Sequence, residues 1–402
     1  MKKIYMDHSA TTRTDNDVAT FMVKYMTETY GNPSSVHSFG REARKAVDEA
    51  REKVAQAIGA QPDEIIFTSG GTEADNLAVR GVAYANRKRG NHIITSSIEH
   101  HAVLDTCKSL EREGFEVTYL PVDEYGMVRT EDLKNAITDR TILVSIMHAN
   151  NEVGTIQPIK EIGAIARGKG IPLHSDTVQS IGKIPVDVNE LNIDLLAISA
   201  HKFYGPKGIG CLYMRKGVRM LPVTFGGSQE RKRRPGTLNV PGIAGLGLAI
   251  EKAAVSVGEQ APYQARLRDR MIKGIMEKID YVKLNGHPAE RLPNNVNLSF
   301  QFIEGESLLL SLDMKGVAAS SGSACTSGSL DPSHVLLAMG LSHEIAHGSL
   351  RLTLGKENTE EEADYVIEVL PEIVKRLRAM SPLYAGRVQA DKHQSEECCS
   401  NV

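Results

Sequence analysis

What the chain has little of narrows the field first. It holds only five cysteines in 402 residues, and Cys107, Cys211, Cys325, Cys398 and Cys399 show neither zinc-type spacing nor a disulfide framework. Each is therefore expected as a thiol in a reducing compartment. With a net charge of −3 and no long basic stripe, a nucleic-acid partner is not expected. The one basic cluster, Arg231 to Arg234, is short and reads as a loop or a local anion-attracting patch. No stretch is read as approaching a membrane span, and the start MKKIYMDHSATT lacks the apolar core of a signal peptide. The expectation is a cytoplasmic protein with no membrane partner. Internal repeats and coiled-coil patterns are also missing. What remains, 41% hydrophobic and 24% charged residues, is ordinary globular composition with room for a large core.

Apolar runs and helical spacings then alternate along the chain. Strands are expected near Glu64–Thr68, His92–Ser96, Phe115–Leu120, Thr141–Met147, Ile171–Ser175, Asp194–Ser199 and Gly210–Met214. Helices are expected near Phe39–Ile58, Glu73–Arg87, His100–Glu113 and Ile159–Gly168. Such alternation argues for an α/β fold with a mostly parallel sheet covered on both faces. A long helical stretch from Ala244 to about Lys278 looks like the link to a second unit, with a strand near Val296–Phe300 and a last helix from Glu360 to Met380.

Ligands of open α/β sheets bind at the carboxyl ends of strands, and five such ends carry chemistry. Ser69-Gly70-Gly71-Thr72 joins a strand to a helix, where backbone N–H groups, close-approach glycine and a hydroxyl suit a phosphate. His100 follows the next strand and could stack on a flat ring or shuttle a proton. Asn150-Asn151 offers two amides. Asp176 could sit beneath a pyridine nitrogen and keep it protonated. Lys202, in Ser199-Ala200-His201-Lys202, ends a buried run and could act as a nucleophile toward carbonyl carbon. Each has an ordinary alternative: a turn, a cap, a surface histidine, a solvated lysine. Together they make a phosphate cradle, a ring-stacking group, a pyridinium partner and a Schiff-base lysine, the set a pyridoxal-phosphate site needs.

With these motifs the chain resembles the cysteine desulfurases of the NifS/IscS type, from MDHSATT to Tyr384. Further carriers of the resemblance are Gly31-Asn32-Pro33-Ser34-Ser35, Asn150-Asn151-Glu152-Val153-Gly154 and Ser320-Ser321-Gly322-Ser323-Ala324-Cys325. The resemblance implies a fold-type I pyridoxal-phosphate-dependent transferase. Its large domain, residues 13–260, would be built on a mostly parallel seven-stranded sheet. Residues 1–12 and 261–384 would form a smaller α+β domain, and 385–402 a flexible tail. It implies pyridoxal 5'-phosphate on Lys202, with His100 stacking and Asp176 at the pyridine nitrogen. Gly71, Thr72, Ser199 and His201 would hold the phosphate, and Gln179 and Asn151 would lie near the ring oxygen and the substrate. Arg351 would hold the substrate carboxylate, and Thr237 would reach the phosphate across a homodimer interface.

Cys325 lies in a run of small residues that resembles the longer, mobile loop of the family's first group. There it would take sulfur from L-cysteine as a persulfide, leaving L-alanine. The sulfur would then pass to an acceptor such as an iron–sulfur cluster scaffold protein. No resident metal is expected, although Cys325 could touch an iron–sulfur cluster during transfer. Lys202 and His100 would move protons. Cys107, in a helix, and Cys211, in a strand, are expected in the core; Cys398 and Cys399 have no place in the family pattern. Other readings are a selenocysteine lyase or another pyridoxal-phosphate enzyme on the same fold, and a non-catalytic sulfur-relay or scaffold protein.

Overall fold

A computed structural model of the chain describes residues 3–321 and 332–385. Cys325, Cys398 and Cys399 lie outside the described residues. In chain order the elements begin with β1 (Ile4–Tyr5), α1 (Asn16–Thr27), α2 (Ser38–Ala57), β2 (Ile65–Thr68), α3 (Gly71–Asn86), β3 (His92–Ser96), α4 (His101–Arg112) and β4 (Glu116–Leu120). Next come α5 (Thr130–Ala136), β5 (Thr141–Ser145), α6 (Ile159–Gly168), β6 (Leu173–Asp176), β7 (Leu195–Ser199) and β8 (Gly210–Met214). After α7 (Val240–Lys278) follow β9 (Val282–Leu284), β10 (Asn295–Phe300), α8 (Gly305–Asp313) and β11 (Val317–Ala318). The chain closes with α9 (His334–Ala338), α10 (His343–His347), β12 (Ser349–Thr353) and α11 (Glu360–Ala379).

Seven strands form one sheet in the order β2-β8-β7-β6-β5-β3-β4. All its pairings are parallel except the two made by β8. Side chains alternate between faces, as a pleat demands. Leu196 and Ile198 of β7 enter the core under α1, α2 and the first half of α7, while Leu195 and Ala197 enter the core under α3 and α4. A smaller antiparallel sheet, β12-β10-β9, builds a further core with α8, α11 and the second half of α7.

The apolar character of α7 corrects one reading. By length and composition alone this helix is long and apolar enough to cross a membrane, and half of the relevant window is buried. The cause is packing. Its first half lies on α1 and α2 and its second half on α11, so one helix serves two cores.

The basic cluster is likewise engaged. Glu230, Arg231 and Lys232 take left-handed backbone angles, with φ of 45°, 56° and 65°, a conformation that costs non-glycine residues free energy and persists only when its surroundings impose it. Here the buried Glu230 carboxylate imposes it. It accepts from Arg51 Nη2 at 2.7 Å, Arg51 Nη1 at 3.0 Å and the Phe67 N–H at 2.9 Å. The Arg51 guanidinium also stacks over the Phe67 ring at 4.6 Å. Arg234 pairs with Glu73 at 2.8 Å, and Arg231 donates to the Asp63 carbonyl. Removing one partner of a buried pair strands the other, so Glu230→Ala is expected to cost about 3–5 kcal/mol. Urea unfolding checks this; a loss below about 1 kcal/mol contradicts the assignment.

Candidate active site

The carboxyl ends of β2, β7, β6, β5 and β3 share one edge of the large sheet. They are not adjacent throughout, because antiparallel β8 inserts between β2 and β7, with Gly210 paired to both Thr68 and Ser199. Gly210 is needed there: a Cβ would stand 2.3 Å from the Ile198 carbonyl oxygen and 2.7 Å from Gly70 Cα. Above this edge opens a cavity of about 330 Å³. Of the residues singled out in the sequence, Gly71, Thr72, His100, Asn151, Asp176, Gln179, Ser199, His201, Lys202 and Arg351 all line it. Thr237 does not; it is exposed on the segment before α7.

At one end, α3 starts at Gly71 and aims its unpaired N–H groups at the cavity. A Cβ on Gly71 would meet Val178 at 2.7 Å, so glycine keeps this cradle open. Ser199 and His201 complete it. The His201 imidazole shares a hydrogen bond with the Thr11 hydroxyl at 3.0 Å. Burial, reinforced by Lys202, pushes its pKa down to about 4 and keeps it neutral near pH 7.

At the other end lies a set of buried acids. Asp176 accepts from the Val178 N–H at 2.9 Å. Burial raises its pKa, against the pull of His100 and Lys202. His100 caps α4 by accepting from the Ala102 N–H at Nδ1, 3.1 Å. A neutral imidazole that accepts at Nδ1 carries its proton on Nε2. Burial lowers the His100 pKa, with Asp176 opposing. Its neighbour His101 is turned aside, packing on the His334 ring at 4.9 Å.

The amide pair divides its work. Asn150 is used up locally, donating to the Ile98 carbonyl and accepting from the Glu152 and Val153 N–H groups, and only Asn151 faces the cavity.

Lys202 ends a short 3₁₀ turn after β7, and its Nζ donates to the carbonyls of Ser9 at 2.5 Å and Ala10 at 2.8 Å. Arg351, on β12, is 1% exposed. Its Nη2 pairs with Asp7 at 3.0 Å and its Nη1 donates to the Asn151 carbonyl at 3.2 Å. Its buried Nε has no hydrogen-bond partner among the described residues.

Asp75 is a lining residue missed in the sequence, where it reads as one more helical polar residue of α3. It is fully buried, and burial with Asp176 and Glu99 nearby holds its carboxyl far above the usual range. The His174 Nε2 lies 3.3 Å from Asp75 Oδ1, but the two are misaligned and neither atom has a hydrogen-bond partner among the described residues. Burial lowers the His174 pKa to about 3, so the imidazole in this contact is neutral. Cys107 and Cys211 are both buried, as expected, and burial pushes their thiols above the ordinary range, Cys107 to about 12.

Residues 4–366 match the family model described as aminotransferase class-V. Fold and strand-end site thus define an enzyme of that class. Among curated relatives, a cysteine desulfurase IscS of Methanosarcina thermophila is 61% identical over 382 residues, covering 95% of this chain and 94% of the relative. A solved NifS-like protein superposes with a TM-score of 0.88 at 43% identity, covering 94% of this chain and all of that one. A second structure, SspA in complex with cysteine, gives a TM-score of 0.78 at 37% identity, covering 88% of this chain and 99% of its own. The chain belongs to the cysteine desulfurase family.

Glu99 ties two of the strand ends together. Its Oε1 accepts from the Ser96 hydroxyl at 2.5 Å and the Met147 N–H at 2.9 Å, while Oε2 is buried without a partner among the described residues. Burial raises its pKa to about 8. The folded state therefore keeps a proton that the unfolded chain loses above about pH 4.3. Its contribution is full below that pH and declines as pH rises to about 8, by up to about 1.4 kcal/mol per pH unit. Glu99→Gln is expected to flatten this decline in denaturant midpoints measured between about pH 5 and pH 8. An equally steep decline in the variant contradicts the protonated assignment.

Proposed function

We propose that the chain is a pyridoxal 5'-phosphate-dependent cysteine desulfurase that converts L-cysteine to L-alanine and keeps the sulfur as a persulfide on Cys325. The observation that carries this reading is the convergence of Lys202, Asp176, His100 and the α3 cradle on one cavity. The cavity fits the cofactor in charge as well as shape. An unobstructed helix N-terminus lies at one end, and a desolvated carboxylate at the other suits a protonated ring nitrogen.

Gly71, Thr72, Ser199 and His201 would hold the phosphate, Asp176 the pyridine nitrogen, His100 the ring face and Gln179 the ring oxygen. Bound there through Lys202, the cofactor supplies an electron sink for bonds at the substrate α-carbon. Arg351 and Asn151, which both line the cavity, would take the substrate carboxylate. Lys202 moves protons on the substrate, and the Nε2 proton of His100 is available for the same task. The Cys325 thiolate attacks the substrate sulfur and the carbon–sulfur bond breaks. The electron pair goes to carbon, where a proton replaces it. Thiol plus cysteine thereby become persulfide plus alanine, with no external oxidant. The cysteine complex of a structural relative supports this substrate. The IscS name of the curated relatives supports an iron–sulfur scaffold as acceptor. In a homodimer, the exposed Thr237 would serve the phosphate of a second copy.

The test is alanine and sulfide release from L-cysteine with a reductant, wild type beside Cys325→Ala. The variant is expected to keep the visible absorbance of the cofactor and to make no alanine above background. Alanine formation at the wild-type rate in Cys325→Ala contradicts the persulfide step.

A further inference from the structure

Behind Lys202, on the side away from the cavity just described, lies a second chamber of about 150 Å³, and Lys202 lines both. Lys183 lines the rear chamber only. It follows β6 in a turn and is 7% exposed. Its Nζ donates to the Gln179 carbonyl and to Gln179 Oε1, each at 3.1 Å. Gln179 Nε2 in turn donates to the Ser9 carbonyl at 3.0 Å, the same oxygen that accepts from Lys202 Nζ.

This network fixes which end of the Gln179 amide is which. The Ser9 carbonyl can only accept, so the amide nitrogen must face Ser9, and the oxygen is left to accept from Lys183, whose ammonium form can only donate. An amide nitrogen has two hydrogens. One is used on Ser9, and Gln179 itself lines the cavity, so the second is a donor for an anionic oxygen bound there.

We propose that Lys183 is a positioning residue for the reaction: it locks the Gln179 amide with its nitrogen toward the cavity, and it places a second amine beside Lys202. The proposal rests on the cofactor reading above.

Physical support comes from both sides of Lys183. The charged and titratable groups that face it are Lys202, Arg351, His8 and His201, with Asp15, Tyr204, Lys252 and Lys356 across the chamber. Asp15 is already shared by Lys252 and Lys356. Burial and the two nearest cations, Lys202 and Arg351, lower the Lys183 pKa to about 7, so the group changes charge near neutral pH.

The experiment uses purified, cofactor-loaded enzyme. The pH midpoint of its visible band, and kcat and KM for L-cysteine, are measured for wild type, Lys183→Met and Lys183→Gln. Methionine removes donor and charge at similar length, while glutamine restores a donor without charge. In Lys183→Met the midpoint is expected to rise by about half a unit or more, because a neighbouring cation is lost. Its kcat is expected to fall about tenfold with KM changed by less than about threefold. Lys183→Gln is expected to recover part of kcat while keeping the shifted midpoint. A variant that only melts at lower temperature, with midpoint and kcat unchanged, overturns the proposal and leaves the cofactor reading standing. A wild type with no visible band overturns both. Should Lys183→Met fail to fold, the midpoint of Lys183→Gln decides alone: a rise supports the proposal and no change overturns it.

Discussion

The amine of Lys202 is held by two carbonyls of a segment almost two hundred residues away in sequence, and much of the site depends on that tie. The segment Asp7–Thr12 runs between the large sheet and the small one. Its Ser9 and Ala10 carbonyls hold Lys202, and its Thr12 N–H and hydroxyl both donate to the His201 carbonyl, at 2.9 and 3.0 Å. On the other side Asp7 pairs with Arg351 and accepts from the Ser320 hydroxyl at 2.9 Å, and the Ser9 N–H donates to the Thr353 hydroxyl. One strap therefore sets the distance between the lysine and the arginine of the site. The Ser320 bond also fixes the entry of the stretch that leads to Cys325.

Burial is the second organising constraint. Asp75 and Asp176 line the cavity, Glu99 lies close to both, and burial is the largest cause of the upward shift in each. Three adjacent desolvated carboxyls cannot all ionise cheaply, so Glu99, pushed up to about 8, is neutral near pH 7 and Asp75 is held well above the usual carboxylate range. Asp176, within the field of His100 and Lys202, is the one best placed to carry charge. Histidines around the site follow the same logic in reverse. His201 and His174 are pushed down to about 4 and 3, leaving the cradle and the sheet interior without extra cations.

Most strands and helices were legible because apolar runs between turn residues are unambiguous signals. His92–Ser96, Ile159–Gly168 and Gly210–Met214 fall where spacing alone puts them. Most cavity residues were legible because each sits at the end of such a run or within four positions beyond it. Other features were not, for physical reasons. Arg351 was known only from its resemblance to a family position, since an arginine between leucines in the short alternating run Ser349–Thr353 reads as the solvent face of a strand. The antiparallel course of β8, and with it the need for Gly210, comes from long-range pairing. Asp75 and Lys183 owe their roles to what packs on them, and an isolated polar residue in a helix or turn gives no sign of that. The membrane-length apolar window of α7 escaped because its two halves serve different cores.

The central claim is that Lys202, and not its buried neighbour Lys183, carries the cofactor. Borohydride reduction of the purified, cofactor-loaded protein, followed by proteolysis and peptide mass spectrometry, tests it directly. The account predicts that the reduced pyridoxyl phosphate mass appears on the peptide containing Lys202. A label on the Lys183 peptide, or none on either, contradicts it.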